Sequence, residues 1–382
     1  MLSVVESTEL IARIEETTKQ AARYIVSTAD YTRTDRLWPA HFQLFSTNPL
    51  SVAYGACGTA LFLNETLGVP ESVKRWLLDH EVTVEDYPPG LFMGLAGIAF
   101  TLFEIGLHDR AEEVMRLTYR SPLLYREPNM FLGAAGWGLV SLYFYERTGK
   151  QLYLDRAVQA GEYLVGDARP DGETVYWRYN SDERVHFGYG YGASGISLFL
   201  LYLGLKVGRP AFLECARKGL EFDLSNRRDT PDGVSWVRYQ NDFTTYPYML
   251  HGNAGIGAVI LRFAHHLGDQ RYRALAEEVA ESIVLKWSAL PSLLEGLSGI
   301  GEYMLDLFRF TGDESYRDRA LDMAETLLWY KLDTPEGVAF PCRWLSRISN
   351  DYATGSAGIG LYLARLVRPG RRLFLDLSDS PR

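Results

Sequence analysis

Apolar residues fall along this chain in two alternating patterns. In one, runs such as Ile196-Ser-Leu-Phe-Leu-Leu, Ile256-Gly-Ala-Val-Ile-Leu and Gly358-Ile-Gly-Leu-Tyr-Leu-Ala are apolar nearly all round a helical period, as suits a helix buried between neighbours. In the other, Tyr272-Arg-Ala-Leu-Ala-Glu-Glu-Val-Ala-Glu and Tyr316-Arg-Asp-Arg-Ala-Leu-Asp-Met-Ala-Glu alternate apolar and charged positions, as suits an outer helix with one wet face. The two kinds succeed one another, which predicts helical hairpins. Outer helices also share a turn glycine, a tyrosine and an alanine in one register: Gly149, Tyr153, Ala157; Gly268, Tyr272, Ala276; Gly312, Tyr316, Ala320.

Each all-apolar run follows a Gly-x-x-Gly motif, and seven copies begin at Gly55, Gly94, Gly133, Gly192, Gly252, Gly296 and Gly355. Their separations of 39, 39, 59, 60, 44 and 59 residues fit one hairpin per repeat with loops of varying length. Seven buried helices closing on themselves need no polar end caps, so the expected fold is all-α, an α/α toroid of seven helical hairpins. Pro170-Asp-Gly-Glu-Thr-Val-Tyr-Trp177, Pro231-Asp-Gly-Val-Ser-Trp236 and Pro335-Glu-Gly-Val338 interrupt the helical pattern with turn residues followed by β-branched and aromatic ones, and predict short β-hairpin insertions.

A 382-residue chain with 47% hydrophobic residues can bury one large core. The expected organisation is a single domain over 1–382: an N-terminal helix and linker to 35, the toroid over 36–366, and a C-terminal tail over 367–382. The formal charge of −9 disfavours nucleic acid or an anionic membrane surface as partner. No run of about 18 apolar residues occurs and the N-terminus lacks signal-peptide character, so a cytoplasmic location is expected. Cys57, Cys215 and Cys342 are odd in number and widely spaced, which provides neither a disulfide framework nor a metal-ligand spacing.

Seven Gly-x-x-Gly copies in register, with the flanks Asn48-Pro-Leu-Ser-Val-Ala-Tyr-Gly55, Pro89-Gly-Leu-Phe-Met-Gly-Leu-Ala-Gly97, Tyr191-Gly-Ala-Ser-Gly195 and Pro247-Tyr-Met-Leu-His-Gly-Asn-Ala-Gly255, resemble the lanthionine synthetase C-like cyclases. Within that family they look like the C-terminal cyclase domain of class III lanthipeptide synthetases, the lyase-kinase-cyclase enzymes. The resemblance runs from about Arg36 to Leu366. It implies an intramolecular Michael addition, in which a cysteine thiol of a precursor peptide adds to dehydroalanine or dehydrobutyrine to give lanthionine or labionin rings. The implied partners are the dehydrated precursor and kinase and lyase domains, of the same synthetase or separate; the chain itself lacks the kinase motifs.

Zinc-dependent members of the family hold their metal with a cysteine of one repeat and a Cys-His pair of the next. Here those places carry Leu250, Leu294 and Glu295, so no metal and no cofactor are expected. The resemblance then points to His251, Tyr191, Asn129, Tyr248 and Glu295 as catalytic candidates. A neutral imidazole at His251 could exchange a proton with the thiol or the enolate. Tyr191 stands where relatives place a histidine, and a phenol could donate to the enolate. Asn129 replaces a carboxylate, so it can orient a ring or bind a peptide carbonyl but cannot act as a base. Tyr246, which stands where relatives carry an arginine, joins His186, Asp351 and Tyr352 as substrate-binding candidates. Cys57, between two motif glycines, reads as a small buried side chain. The remaining histidines, His41 among them, read as surface or structural.

Two other readings stay open. A zinc-free ring could serve as a peptide-binding scaffold, and an α/α-barrel carbohydrate enzyme could recruit Asp86, Glu295 and Asp351.

Overall fold

A computed structural model describes residues 4–283, 285 and 287–377. Among the described residues each Gly-x-x-Gly motif starts a helix one residue after its first glycine: α2 (Ala56–Thr66), α4 (Leu95–Glu104), α6 (Ala134–Thr148), α8 (Ala193–Val207), α10 (Asn253–Leu267), α12 (Leu297–Thr311) and α14 (Ser356–Val367). Six charged partners follow: α3 (Glu71–Asp79), α5 (His108–Thr118), α7 (Gln151–Asp167), α9 (Pro210–Ser225), α11 (Gln270–Glu281) and α13 (Glu314–Tyr330). The seventh, α1 (Val4–Ser27), precedes the first motif and packs on α14, so it is the outer helix of the last hairpin.

Burial follows the two sequence patterns. Every residue of α8 from Ala193 to Gly204 is buried, whereas α11 buries only Tyr272, Ala276, Val279 and Ala280, one stripe at i, i+4, i+7 and i+8. The shared tyrosines Tyr153, Tyr272 and Tyr316 and their partner alanines are all buried. The hairpin turn has a fixed chemistry. Gly268 closes α10 with φ 65°, and Asp269 then caps α11 by accepting from the Arg271 amide at 2.9 Å; Gly312 and Asp313 repeat the arrangement before α13. Each such cap contributes about 1 kcal/mol.

The motif glycines allow close approach. A Cβ at Gly252 would lie 1.5 Å from the Tyr246 carbonyl oxygen, and one at Gly255 would lie 2.0 Å from that of Met249. Only glycine lets the preceding loop fold down onto the helix start.

The expected hairpin insertions are present. Strands β1 (Arg169–Asp171) and β2 (Thr174–Tyr176) pair antiparallel, β4 (Gly233–Val237) lies between β3 (Arg228–Thr230) and β5 (Thr245–Tyr246), and β6 (Leu332–Thr334) pairs β7 (Gly337–Ala339). Tryptophans tie these insertions to the outer helices. Trp177 and Trp236 donate from Nε1 to the carbonyls of Leu164 in α7 and Asp223 in α9, each thirteen residues upstream, and Trp38 does the same to Ile25 in α1.

The chain packs into two compact units, neither of them continuous in sequence: 1–86 with 101–112 and 285–370, and 87–100 with 113–284 and 371–382. In the first, α14 packs against α2 and α12; in the second, α8 packs against α6 and α10. The second unit also takes in residues 371–377 of the C-terminal tail. Phe374 packs against Phe92 and Phe100, its carbonyl accepts from Tyr189, and Leu375 accepts from Tyr202. Asp376 pairs with Arg262, whose side chain is 0% exposed. Residues 1–3 of the N-terminal segment and 378–382 of the tail lie outside the described residues.

Candidate active site

Loops before successive motif helices are laced together by backbone hydrogen bonds. In the second unit the Phe131 amide donates to the Gly190 carbonyl at 3.2 Å, and the Gly190 amide to the Leu250 carbonyl at 2.9 Å. In the first unit Leu294 donates to Ala353 at 3.2 Å, and Ala353 to Ala53 at 2.8 Å. Neighbouring repeats therefore hold their pre-helical residues in one register, and the candidate side chains stand on these loops.

Six candidates lie in the second unit. Tyr191 and His251, each one residue before a motif glycine, stack with ring centroids 5.6 Å apart and planes 14° apart. His186 lies 5.6 Å from Tyr191 and 5.9 Å from His251, and Phe131 and Tyr179 flank Tyr191 at 4.7 and 5.4 Å. His251 is only 7% exposed and its Nδ1 finds no partner. Burial, with His186 and Arg238 nearby, pushes its pKa down to about 3. The imidazole is thus held neutral, which makes it a hydrogen-bonding group and a poor store for a proton.

Asn129 is fully buried and accepts from the Leu132 amide at 2.9 Å, while its Nδ2 has no partner. It braces its own loop and keeps one donor spare. Tyr246 and Tyr248 are half-buried with rings 6.4 Å apart. A guanidinium is also present beside them. Arg238, from the end of β4, lies 5.1 Å over the Tyr246 ring and donates to Asp242 at 2.8 Å. A positive charge thus stands beside Tyr246 from the hairpin insertion, which no motif register could reveal.

Three candidates lie in the first unit. Glu295 pairs with Arg343 at 3.0 Å. Asp351 is buried, and its carboxylate accepts from the Thr354 amide at 2.7 Å, the Thr354 hydroxyl at 3.0 Å, the Ser349 hydroxyl and the His41 amide. Its oxygens accept from its own loop and from His41, and burial raises its pKa. Asp351 therefore braces the start of α14. Tyr352 is likewise buried, its Cβ packed where a side chain at Gly58 would stand. His41, read as structural, is buried and accepts from the Gln43 amide.

Two further acids escaped the sequence reading. Asp223 accepts from the amides of Gly188 and Ser194 at 3.0 and 2.9 Å and from the Ser194 hydroxyl, so it fastens the loop that carries Tyr191 to α9. Full burial pushes its carboxyl up to about 7 against those hydrogen bonds. Glu127 accepts from the Asn180 amide at 2.9 Å and from the Ser181 hydroxyl, and so holds the turn before His186. Both sit on partners distant in sequence, and neither falls in a motif.

The residues at the zinc-ligand places do not fit a metal. Leu250 and Leu294 are buried and apolar, Glu295 is engaged by Arg343, and among the described residues no three His, Cys, Asp or Glu side chains group as a site. Cys57 is fully buried, which pushes its thiol up to about 12 and disfavours the thiolate. Among the described residues no helix is long and apolar enough to cross a membrane.

The lanthionine synthetase C-like protein family model matches residues 46–377, and the chain belongs to that family. It is 31% identical over 350 residues to the probable SapB synthase of Streptomyces coelicolor, covering 91% of this chain and 37% of that protein, so it spans little more than a third of this relative. Among solved structures it is similar to nisin cyclase, with a TM-score of 0.63 at 15% identity over 83% of this chain and 88% of that one. It is also similar to the α-1,2-mannosidase of Trichoderma reesei, with a TM-score of 0.58 at 11% identity over 97% and 96%. At such identities the likeness concerns fold alone, and that fold class is the α/α toroid expected from the repeats.

Proposed function

We propose that the chain is a metal-independent cyclase of the class III lanthipeptide kind, closing thioether rings by adding cysteine thiols of a dehydrated precursor to dehydroalanine or dehydrobutyrine. The observation that carries this reading is the stacked Tyr191–His251 pair on two laced loops, each at the N-terminus of a motif helix. The amide ends of α8 and α10 favour negative charge, as a thiolate and an enolate require.

In this reading the thiol loses its proton, the sulfur attacks the alkene β-carbon, and the π electrons move to the carbonyl oxygen as an enolate. The Tyr191 phenol donates to that oxygen, neutral His251 and the spare Asn129 amide orient the peptide, and the α-carbon is then protonated. Lanthionine results; attack of the enolate on a second dehydroalanine before protonation gives labionin. Leu250 and Leu294 in place of sulfur ligands support chemistry without zinc. Dehydration is left to kinase and lyase domains, in keeping with the short share of the SapB synthase that the chain spans, and the location proposed is cytoplasmic.

The test is thiol consumption in a dehydrated class III precursor, read by alkylation and mass spectrometry beside a buffer control. The reading expects acceleration by the protein and loss of about 100-fold or more in Tyr191→Phe or His251→Ala. Binding of peptide with cyclisation at the buffer rate would make the chain a scaffold instead.

A further inference from the structure

His251 leaves a gap in the mechanism, since a ring held neutral down to about pH 3 does not carry the thiol proton. The neighbouring imidazole is built differently. His186 is 9% exposed, and its Nε2 lies 3.1 Å from Oδ2 of Asp182, four residues upstream. An ionised carboxylate only accepts, so Nε2 carries the hydrogen and the lone pair of the neutral ring sits on Nδ1. That Nδ1 is buried and has no partner, although Tyr179, Tyr191, Tyr239 and His251 all stand with ring centroids within 6 Å of His186. A buried, unpartnered lone pair costs stability unless something uses it.

We infer that His186, oriented by Asp182, is the catalytic base that takes the cysteine thiol proton on Nδ1. This rests on the cyclase reading above and adds a named proton acceptor to it. The S–H bond breaks as the proton moves to Nδ1, the sulfur lone pair forms the C–S bond, and the imidazolium that results is stabilised by Asp182. The same proton returns to the α-carbon, so the addition is balanced without any further reagent. Asp182 is exposed and His186 lies beneath it, so the pair extends from solvent to the Tyr191–His251 stack.

The charged and titratable groups facing His186 are Asp182, Arg184, Arg238, His251 and the three tyrosines. Burial lowers its pKa, the Asp182 hydrogen bond and charge oppose that, and the two arginines add to the lowering. His186 is therefore unprotonated and ready at neutral pH, and Asp182 is the group that lets it hold a proton in the transition state.

The experiment measures kcat for thiol consumption at saturating dehydrated precursor from about pH 5.5 to about pH 9. Wild type, His186→Gln and Asp182→Asn are compared, with thermal stability and peptide affinity measured in parallel. His186→Gln is expected to lose about 100-fold or more near neutrality, and its remaining rate should climb with thiol ionisation toward about pH 8.5, where the wild-type rate is already level. Asp182→Asn, at an exposed position, is expected to lose about tenfold or more in kcat at unchanged affinity, and imidazole added to His186→Ala should restore part of the rate. A His186→Gln protein that keeps wild-type kcat and pH profile overturns the inference and leaves the cyclase reading intact. A wild-type protein that does not exceed the buffer rate overturns the cyclase reading itself.

Discussion

Gly188 rests on the backbone of His251. With φ at +91°, it would carry a Cβ 2.6 Å from both the carbonyl carbon and the carbonyl oxygen of His251. The loop that presents Tyr191 and the loop that presents His251 are thus in contact through a residue with no side chain. Gly188→Ala is expected to cost about 1–3 kcal/mol in backbone strain and to disrupt the Tyr191–His251 stack as well. Gly149, at φ +67° with open space around its missing Cβ, is the control. Gly149→Ala should lose stability in urea and keep peptide affinity and rate, whereas Gly188→Ala should lose all three.

Stability should depend on pH with two opposed slopes. Folded His251 titrates at about 3 and the unfolded residue near 6.5, so between those values the unfolded chain binds the extra proton and stability falls as pH falls. Asp223 titrates at about 7 when folded and near 3.9 when unfolded, so its contribution is present below about pH 4 and lost as pH rises toward 7. Urea unfolding across this range should show His251→Gln gaining on wild type toward acid and Asp223→Asn gaining on it toward neutrality. A parallel pH curve for either variant would contradict the burial described for that group.

The described tail contributes to the folding of its unit. Asp376 compensates Arg262, which is 0% exposed, so Asp376→Asn should cost about 3–5 kcal/mol by taking the carboxylate away from a buried guanidinium. Phe374→Ala should cost a similar amount, about 3–5 kcal/mol, through the cavity it leaves beside Phe92 and Phe100. Losses below about 1 kcal/mol in urea would show the tail to be an ornament on the unit.

Much of this was legible in the chain. Helix starts followed from the motif glycines because seven repetitions of one close approach leave one mark each, and the buried stripe Tyr272, Ala276, Val279 and Ala280 was readable as periodicity. Tyr191 and His251 were named through the family resemblance at their motif positions, and their rings stack in the structure. What register could not show were groups delivered from elsewhere: Arg238 from a hairpin insertion, Asp223 from the end of an outer helix, and Asp182 from a turn that Glu127 fastens. For Asp351 the sequence marked the position, and only the three-dimensional loop shows that its oxygens accept from Thr354, Ser349 and His41.

Removing metal should leave activity untouched. Protein treated with a strong chelator is expected to consume precursor thiols at the untreated rate, and added zinc should bind well below one ion per chain by elemental analysis. A rate that collapses on chelation and returns with zinc would overturn the metal-independent reading.

The measurement closest to the central claim is the configuration of the rings formed, obtained by hydrolysing the cyclised peptide and separating its lanthionine or labionin diastereomers. A site that protonates the enolate from one side gives a single α-carbon configuration, which is the result predicted for wild type. The same mixture of diastereomers as in protein-free buffer would mean that the rings close without this chain's chemistry.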